Sequence, residues 1–155
     1  MSKSMKRVED ALRAAGLTVE IKALGEARTA QMAADVAGCH LDQIAKSIIF
    51  LGETSGRALL FLTAGGNRVD GQKASAVAGE PLGKADAALI RAQTGFAIGG
   101  VAPIGHLSPI RAFLDPRLLE FSTIWTAAGT PHHIFEMPSA ELPRITGAET
   151  ADFTG

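Results

Sequence analysis

Three stretches of the chain carry residue types and spacings that could do chemistry. In Ala45-Lys46-Ser47-Ile48-Ile49-Phe50-Leu51 an ammonium opens an otherwise apolar run. Strand alternation sets Lys46 beside Ile48 and Phe50, and Ser47 beside Ile49 and Leu51, so neither face reads as solvated. Lys46 is then either a snorkelling edge residue or a cation aimed into a cleft. The second stretch is Phe96-Ala97-Ile98-Gly99-Gly100-Val101-Ala102-Pro103-Ile104-Gly105. Paired glycines let backbone come close to a ligand, and their N–H groups could face an oxyanion or a phosphate. The same glycines also fit a bulge and a tight turn. The third stretch, Ala127-Ala128-Gly129-Thr130-Pro131-His132-His133, holds adjacent histidines that an extended strand would point to opposite faces. That arrangement fits a loop shaping a pocket better than a metal site. Cys39-His40 lies far away in the chain and lacks zinc-ligand spacing, so no metal is expected.

Other signatures are missing. The chain has no P-loop, no dinucleotide fingerprint, no Gly-x-Ser-x-Gly elbow and no His-Glu-x-x-His. Cys39, the one cysteine, has no catalytic context. Any catalysis should therefore rest on positioning and electrostatics rather than on a covalent intermediate.

The elements that must position these residues alternate between helix and strand. Val8, Ala11, Leu12 and Ala15 recur at helical spacing before Gly16, and Val19, Ile21 and Ala23 alternate as a strand does. Thr29 can cap a helix through Ala37, with Gly38 as its stop. Lys46–Leu51 and Ala58–Thr63 predict an antiparallel hairpin across Gly52–Arg57. Further helices are expected at Gln72–Ala78, from Asp86 to Gly95, and after Ser139, where Pro143 argues against the last. Strands are expected at Phe96–Ile98, Arg111–Leu114, Ser122–Ala127 and Ile134–Glu136. The sum predicts an α+β fold, one compact domain over residues 1–155 with helices flanking a mixed, strongly curved, barrel-like sheet.

Bulk properties bound the function. A chain of 155 residues can bury about two-thirds of its unfolded surface. The first residues lead into an amphipathic segment rather than an apolar signal, and no apolar run approaches the ~20 residues that span a bilayer. With one cysteine and no membrane segment, a cytoplasmic protein is expected. A net charge of −1 argues against wrapping long duplex DNA or RNA, while leaving room for a short nucleic-acid end.

In order along the chain, Thr29-Ala30-Gln31, Ile44-Ala45-Lys46-Ser47-Ile48-Ile49-Phe50, Asn67-Arg68-Val69-Asp70, the segment from Gly95 to Gly105 and Ala128-Gly129-Thr130-Pro131 resemble the YbaK/ProX family. These are trans-editing aminoacyl-tRNA deacylases, related to the editing domain of bacterial prolyl-tRNA synthetases. The resemblance implies a hydrolase without metal or organic cofactor, acting on the ester of a small mischarged amino acid, with tRNA-Pro as the expected carrier. It implies that Lys46 holds the acceptor end or the reacting ester while Gly99 and Gly100 amides receive the oxyanion. Thr29, Asn67, Asp70, Pro103, Gly105, Gly129, Thr130 and His132 are the implied substrate-binding positions. Partners would be the aminoacyl-tRNA acceptor end and an aminoacyl-tRNA synthetase. A noncatalytic module binding tRNA or a synthetase is the alternative. Asp70-Gly71-Gln72-Lys73 stands where the family commonly has Asp-Leu-x-Lys, so that turn should pack differently.

Overall fold

The computed structural model describes residues 2–155. Helix α1 (Lys3–Ala14) starts where Ser2 Oγ accepts the Met5 N–H, and it buries Val8 and Leu12 on one face. Strand β1 (Ile21–Ala23) leads to α2 (Ala30–Ala37), which Thr29 caps and Gly38, at φ 72°, ends. The predicted hairpin is present as β2 (Ile44–Gly52) and β3 (Ala58–Ala64), with Lys46 opposite Thr63 and Leu51 opposite Ala58. Then come α3 (Gly71–Ala78), β4 (Leu82–Lys84) and α4 (Ala87–Thr94), followed by β5 (Arg111–Leu114), β6 (Thr123–Ala127), β7 (His133–Pro138), α5 (Leu142–Thr146) and β8 (Glu149–Thr150). Pro143 sits in the first turn of α5, where its missing N–H costs nothing.

The sheet is mixed and eight-stranded, in the order β1-β7-β6-β2-β3-β5-β8, with β4 attached to β2. Pairs β2/β6, β3/β5 and β5/β8 are parallel and the others antiparallel. The path runs between two edge strands, β1 and β8, and is not a closed barrel. Alternate residues of β2 feed different cores. Ile48 and Phe50 pack with Phe61, Phe113 and Phe153, whereas Ile49 and Leu51 pack with Leu60, Leu62 and Ile90. Both faces of the lysine strand are thus covered. Among the described residues no helix is long and apolar enough to cross a membrane.

The expected strand at Phe96–Ile98 is not one. Gly95, at φ 82°, ends α4 and turns the chain at once, and Gly100 N–H closes a turn onto Ala97 O at 2.9 Å. Phe96 is apolar because it is a core plug, 0% exposed under the Arg7 guanidinium, not because it is part of a sheet. Two strands escaped the pattern: β4 contains Gly83, which weakens its signal, and β8 is only two residues long.

Candidate active site

The site opens where the sheet is incomplete. On the edge of β2 away from β3, Ile44 and Ala45 pair with β6, and Phe50 to Gly52 pair with β4. Between them, Lys46, Ser47, Ile48 and Ile49 have no strand neighbour on that edge among the described residues. Backbone polar groups in a sheet normally find partners, so such a gap is a natural place for a ligand. A cavity of about 270 Å³ lies there, reached by Lys46, Ser47, Arg28, Thr29, Thr126 and Gly99. Its apolar wall comes from Leu24, Ala27, Ala30, Ala33, Ile44 and Ile134. A second chamber of about 210 Å³ shares Ser47, Ile48 and Gly99 with the first and continues toward Ile49, Ile90 and Val101.

Lys46 is half-buried, and its Nζ donates to Asn67 O at 2.6 Å. Burial pushes its ammonium below the usual lysine range, the neighbouring Arg68 charge adds to this, and Asp115 and Asp42 oppose it. One of its three donors is engaged by Asn67 O, leaving others for a ligand oxygen. Two cavity residues, Ser47 and Thr126, carry buried hydroxyls with no hydrogen-bond partner among the described residues. An orphan buried hydroxyl costs stability, which is tolerable where a ligand completes it. A mainly apolar recess with a cation and two unpartnered hydroxyls suits a small, mostly apolar ligand joined to a polar or anionic group.

A family model for the aminoacyl-tRNA editing domain matches residues 25–145. The chain belongs to that family. It is similar to a solved structure described as that of a candidate trans-editing enzyme for prolyl-tRNA synthetase, with 43% identity and a TM-score of 0.93, covering 100% of this chain and 99% of that one. A hypothetical protein, APE2540, shares the fold at a TM-score of 0.86 and 28% identity, over 96% of this chain and 99% of its own. The uncharacterized protein YwhH of Bacillus subtilis (strain 168) is 32% identical over 118 residues, 76% of this chain and 74% of the relative.

Within this editing domain, Lys46, Thr29 and Gly99 converge on the cavity, and the other expected residues are dispersed. Thr29 Oγ1 accepts the Met32 N–H and so sets the start of α2 at the cavity mouth. Gly99 is exposed, and its N–H has no acceptor among the described residues. Gly100 differs: it is buried, and its N–H is already bonded to Ala97 O. The expectation of two free loop amides therefore reduces to one. Gly100 is a glycine because a Cβ there would lie 2.6 Å from the Thr130 carbonyl carbon.

Asn67 contacts Lys46 through its carbonyl, while its side chain turns to Asp115. Asp70 lies outside the cavity lining and caps α3, accepting from Gln72 and Lys73 N–H groups. Pro103 and Gly105 line a separate shallow depression, and Gly129 lies against Ser4 of α1. Thr130 Oγ1 bonds His133 Nδ1 at 2.6 Å, and His132 is exposed and absent from the cavity wall. These positions make contacts within the fold and do not line the cavity. No three His, Cys, Asp or Glu side chains gather to hold a metal ion among the described residues. Cys39 packs beside Ala34 and Ile44, with its thiol pushed up by burial and by the Glu136 charge.

Sequence reasoning overlooked Ser47, Thr126 and Asp115 as site residues. Ser47 carried a readable signal, a hydroxyl on a face otherwise formed by Ile49 and Leu51. Arg28 precedes the α2 cap and lines the cavity.

Proposed function

We propose that the whole chain, residues 1–155, is a metal-independent deacylase acting in trans on aminoacyl-tRNA, with tRNA-Pro as carrier. The observation that carries this reading is the Lys46 ammonium at the gap in the sheet, facing a small apolar recess. Ala27, Ala30 and Ala33 wall a space of about 270 Å³, which favours a small aminoacyl side chain over a bulky one. The solved relative's description as a candidate trans-editing enzyme for prolyl-tRNA synthetase supports tRNA-Pro.

The aminoacyl ester is already activated, so positioning can suffice. Water attacks the ester carbonyl carbon, and its proton passes by way of the neighbouring free ribose hydroxyl to the departing ribose oxygen. The carbonyl–ribose bond breaks, and free amino acid and tRNA leave. Lys46 and the Gly99 N–H stabilise negative charge developing on the carbonyl oxygen, and Arg28 attracts the terminal phosphate. A near-neutral protein, with a net charge of −1, meets only the acceptor end. Such a protein works beside the synthetase in the cytoplasm.

The test is a panel of tRNA-Pro species charged with alanine, serine, cysteine or proline, followed for release of labelled amino acid. Turnover is expected on at least one small noncognate species, with prolyl-tRNA spared and EDTA without effect. Binding of every species with hydrolysis of none would make the protein a recruitment module instead.

A further inference from the structure

Lys46 rests on a backbone carbonyl, and that carbonyl belongs to the turn between β3 and α3, whose shape is imposed from outside. Asp115, at the end of β5, is 2% exposed. Its Oδ2 accepts the Ala64 N–H at 3.0 Å and Asn67 Nδ2–H at 2.9 Å, and its Oδ1 accepts the Arg117 N–H at 3.0 Å. Asp42 grips the same turn, accepting the Gly66 N–H at 2.8 Å on Oδ1 and the Arg117 Nε–H at 2.9 Å on Oδ2. A carboxylate this deep must have its acceptors satisfied. A neutral amide would put an NH2 donor group in place of one of these two accepting oxygens, and could not serve donors on both sides as Asp115 does. The chain of contacts runs Asp115–Asn67–Lys46 and ends at the cavity.

We propose that Asp115 is a positioning residue for Lys46: through Asn67 it fixes the carbonyl on which the ammonium rests. The inference rests on the reading of Lys46 as the site's cation. The charged groups acting on Lys46 are Arg68 from the turn, Asp115 after β5 and Asp42 before β2, and Arg28 lines the same cavity. Thr63, opposite Lys46 on β3, and Thr126 of β6 carry no charge. Arg68 disfavours the charged lysine and the two aspartates favour it, so neutralising Asp115 moves the lysine's titration to lower pH.

The experiment pairs two readouts on the full chain. NMR titration of side-chain-labelled lysine follows Lys46 directly, without reference to hydrolysis. The pH profile of kcat/KM on a mischarged tRNA follows its consequence. In Asp115→Asn, the Lys46 midpoint and the alkaline limb of the profile should both move to lower pH. In Asn67→Ala, which leaves the other Asp115 bonds in place, kcat should fall about tenfold or more through misplacement, with melting temperature near wild type. A purely architectural Asp115 would lower melting temperature and leave the Lys46 midpoint where it was. That result, or wild-type kcat in a folded Asn67→Ala, overturns the proposal. Should Asp115→Asn fail to fold, Asn67→Ala decides alone. Wild-type protein inert on every charged tRNA would sink the deacylase reading, while the lysine titration would still judge the Asp115 contact.

Discussion

The strand at Lys46 and the loop from Gly95 to Gly105 meet at one cavity but are built in opposite ways. The strand contributes a charged side chain, held from within by Asn67, Asp115 and Asp42. The loop contributes backbone, and it is held from outside by α1. Arg7 donates from Nε to Gly105 O and from Nη2 to Gly95 O, each at 2.8 Å, and its guanidinium lies 4.5 Å from the Phe96 ring centroid. One side chain thus ties both ends of the loop. Helix α1 lies before the span matched by the family model, which begins at residue 25. Of the two, the strand contributes the ammonium and the loop contributes backbone. Substitutions on the two sides should therefore fail differently.

The largest effect expected from a charge-preserving change is at Lys46. Lys46→Arg keeps the cation but replaces a compact ammonium with a planar fork that cannot make the same contact with Asn67 O. Single-turnover hydrolysis should slow by about 10²-fold, with melting temperature little changed. Activity close to wild type would show that charge alone matters, and would erase the contrast in positional demand.

Gly100→Ala comes next and should act on the fold. The added Cβ would meet Thr130 and Pro131 backbone at 2.6 to 2.8 Å, so the two loops must move apart. Overpacking of this kind costs on the order of 1–3 kcal/mol. Melting temperature should drop, while the fraction still folded hydrolyses at nearly the normal rate. A slowed reaction at unchanged melting temperature would restore Gly100 as a direct participant.

Ser47→Ala should move stability and affinity in opposite directions. Removing an unpartnered buried hydroxyl should be neutral or raise stability by up to about 1 kcal/mol. If that hydroxyl meets the substrate, KM rises in the same variant. A fall in stability together with an unaltered KM would show that Ser47 is ordinary core.

The smallest effect lies on the loop side, at His106. Its Nε2 lies 2.7 Å from Ala102 O. Burial pushes the imidazole below its usual range of about 6.5, the Ala102 carbonyl opposes this, and the Arg7 charge adds to the lowering. The unfolded chain then binds the proton more readily than the folded one. The stability contributed by neutral His106 is complete above about pH 6.5 and is lost as pH falls toward the folded value. His106→Gln should flatten this part of a melting-temperature profile, and an unchanged profile would remove His106 from the account.

The two sides also differ in how far they could be read from sequence. Local signals were sufficient for the caps at Thr29 and Asp86, the stops at Gly38 and Gly95, and the β2/β3 hairpin. Strand alternation placed Lys46 between two apolar faces, and both prove to be covered. The gap beside Lys46 was illegible because it depends on β4 and β6 pairing with different ends of one edge, contacts distant in the chain. The loop misled for a different reason. Phe96-Ala97-Ile98 is apolar enough for a strand, but Ile98 is 60% exposed and Phe96 fills the core. Which loop amide stays free depends on hydrogen bonds that residue type does not encode. Asp115 caps the short turn that begins at Pro116, and its hold on Asn67 appears only in three dimensions.

The most direct test of the central claim is single-turnover release of amino acid from mischarged tRNA-Pro by the wild-type protein and by Lys46→Ala, with melting temperature measured on the same samples. If Lys46 supplies charge stabilisation at the gap in β2, the wild-type protein should hydrolyse a small noncognate ester. Lys46→Ala should then be slower by about 10²–10³-fold at an essentially unchanged melting temperature. A folded Lys46→Ala that hydrolyses the same substrate at the wild-type rate would contradict it.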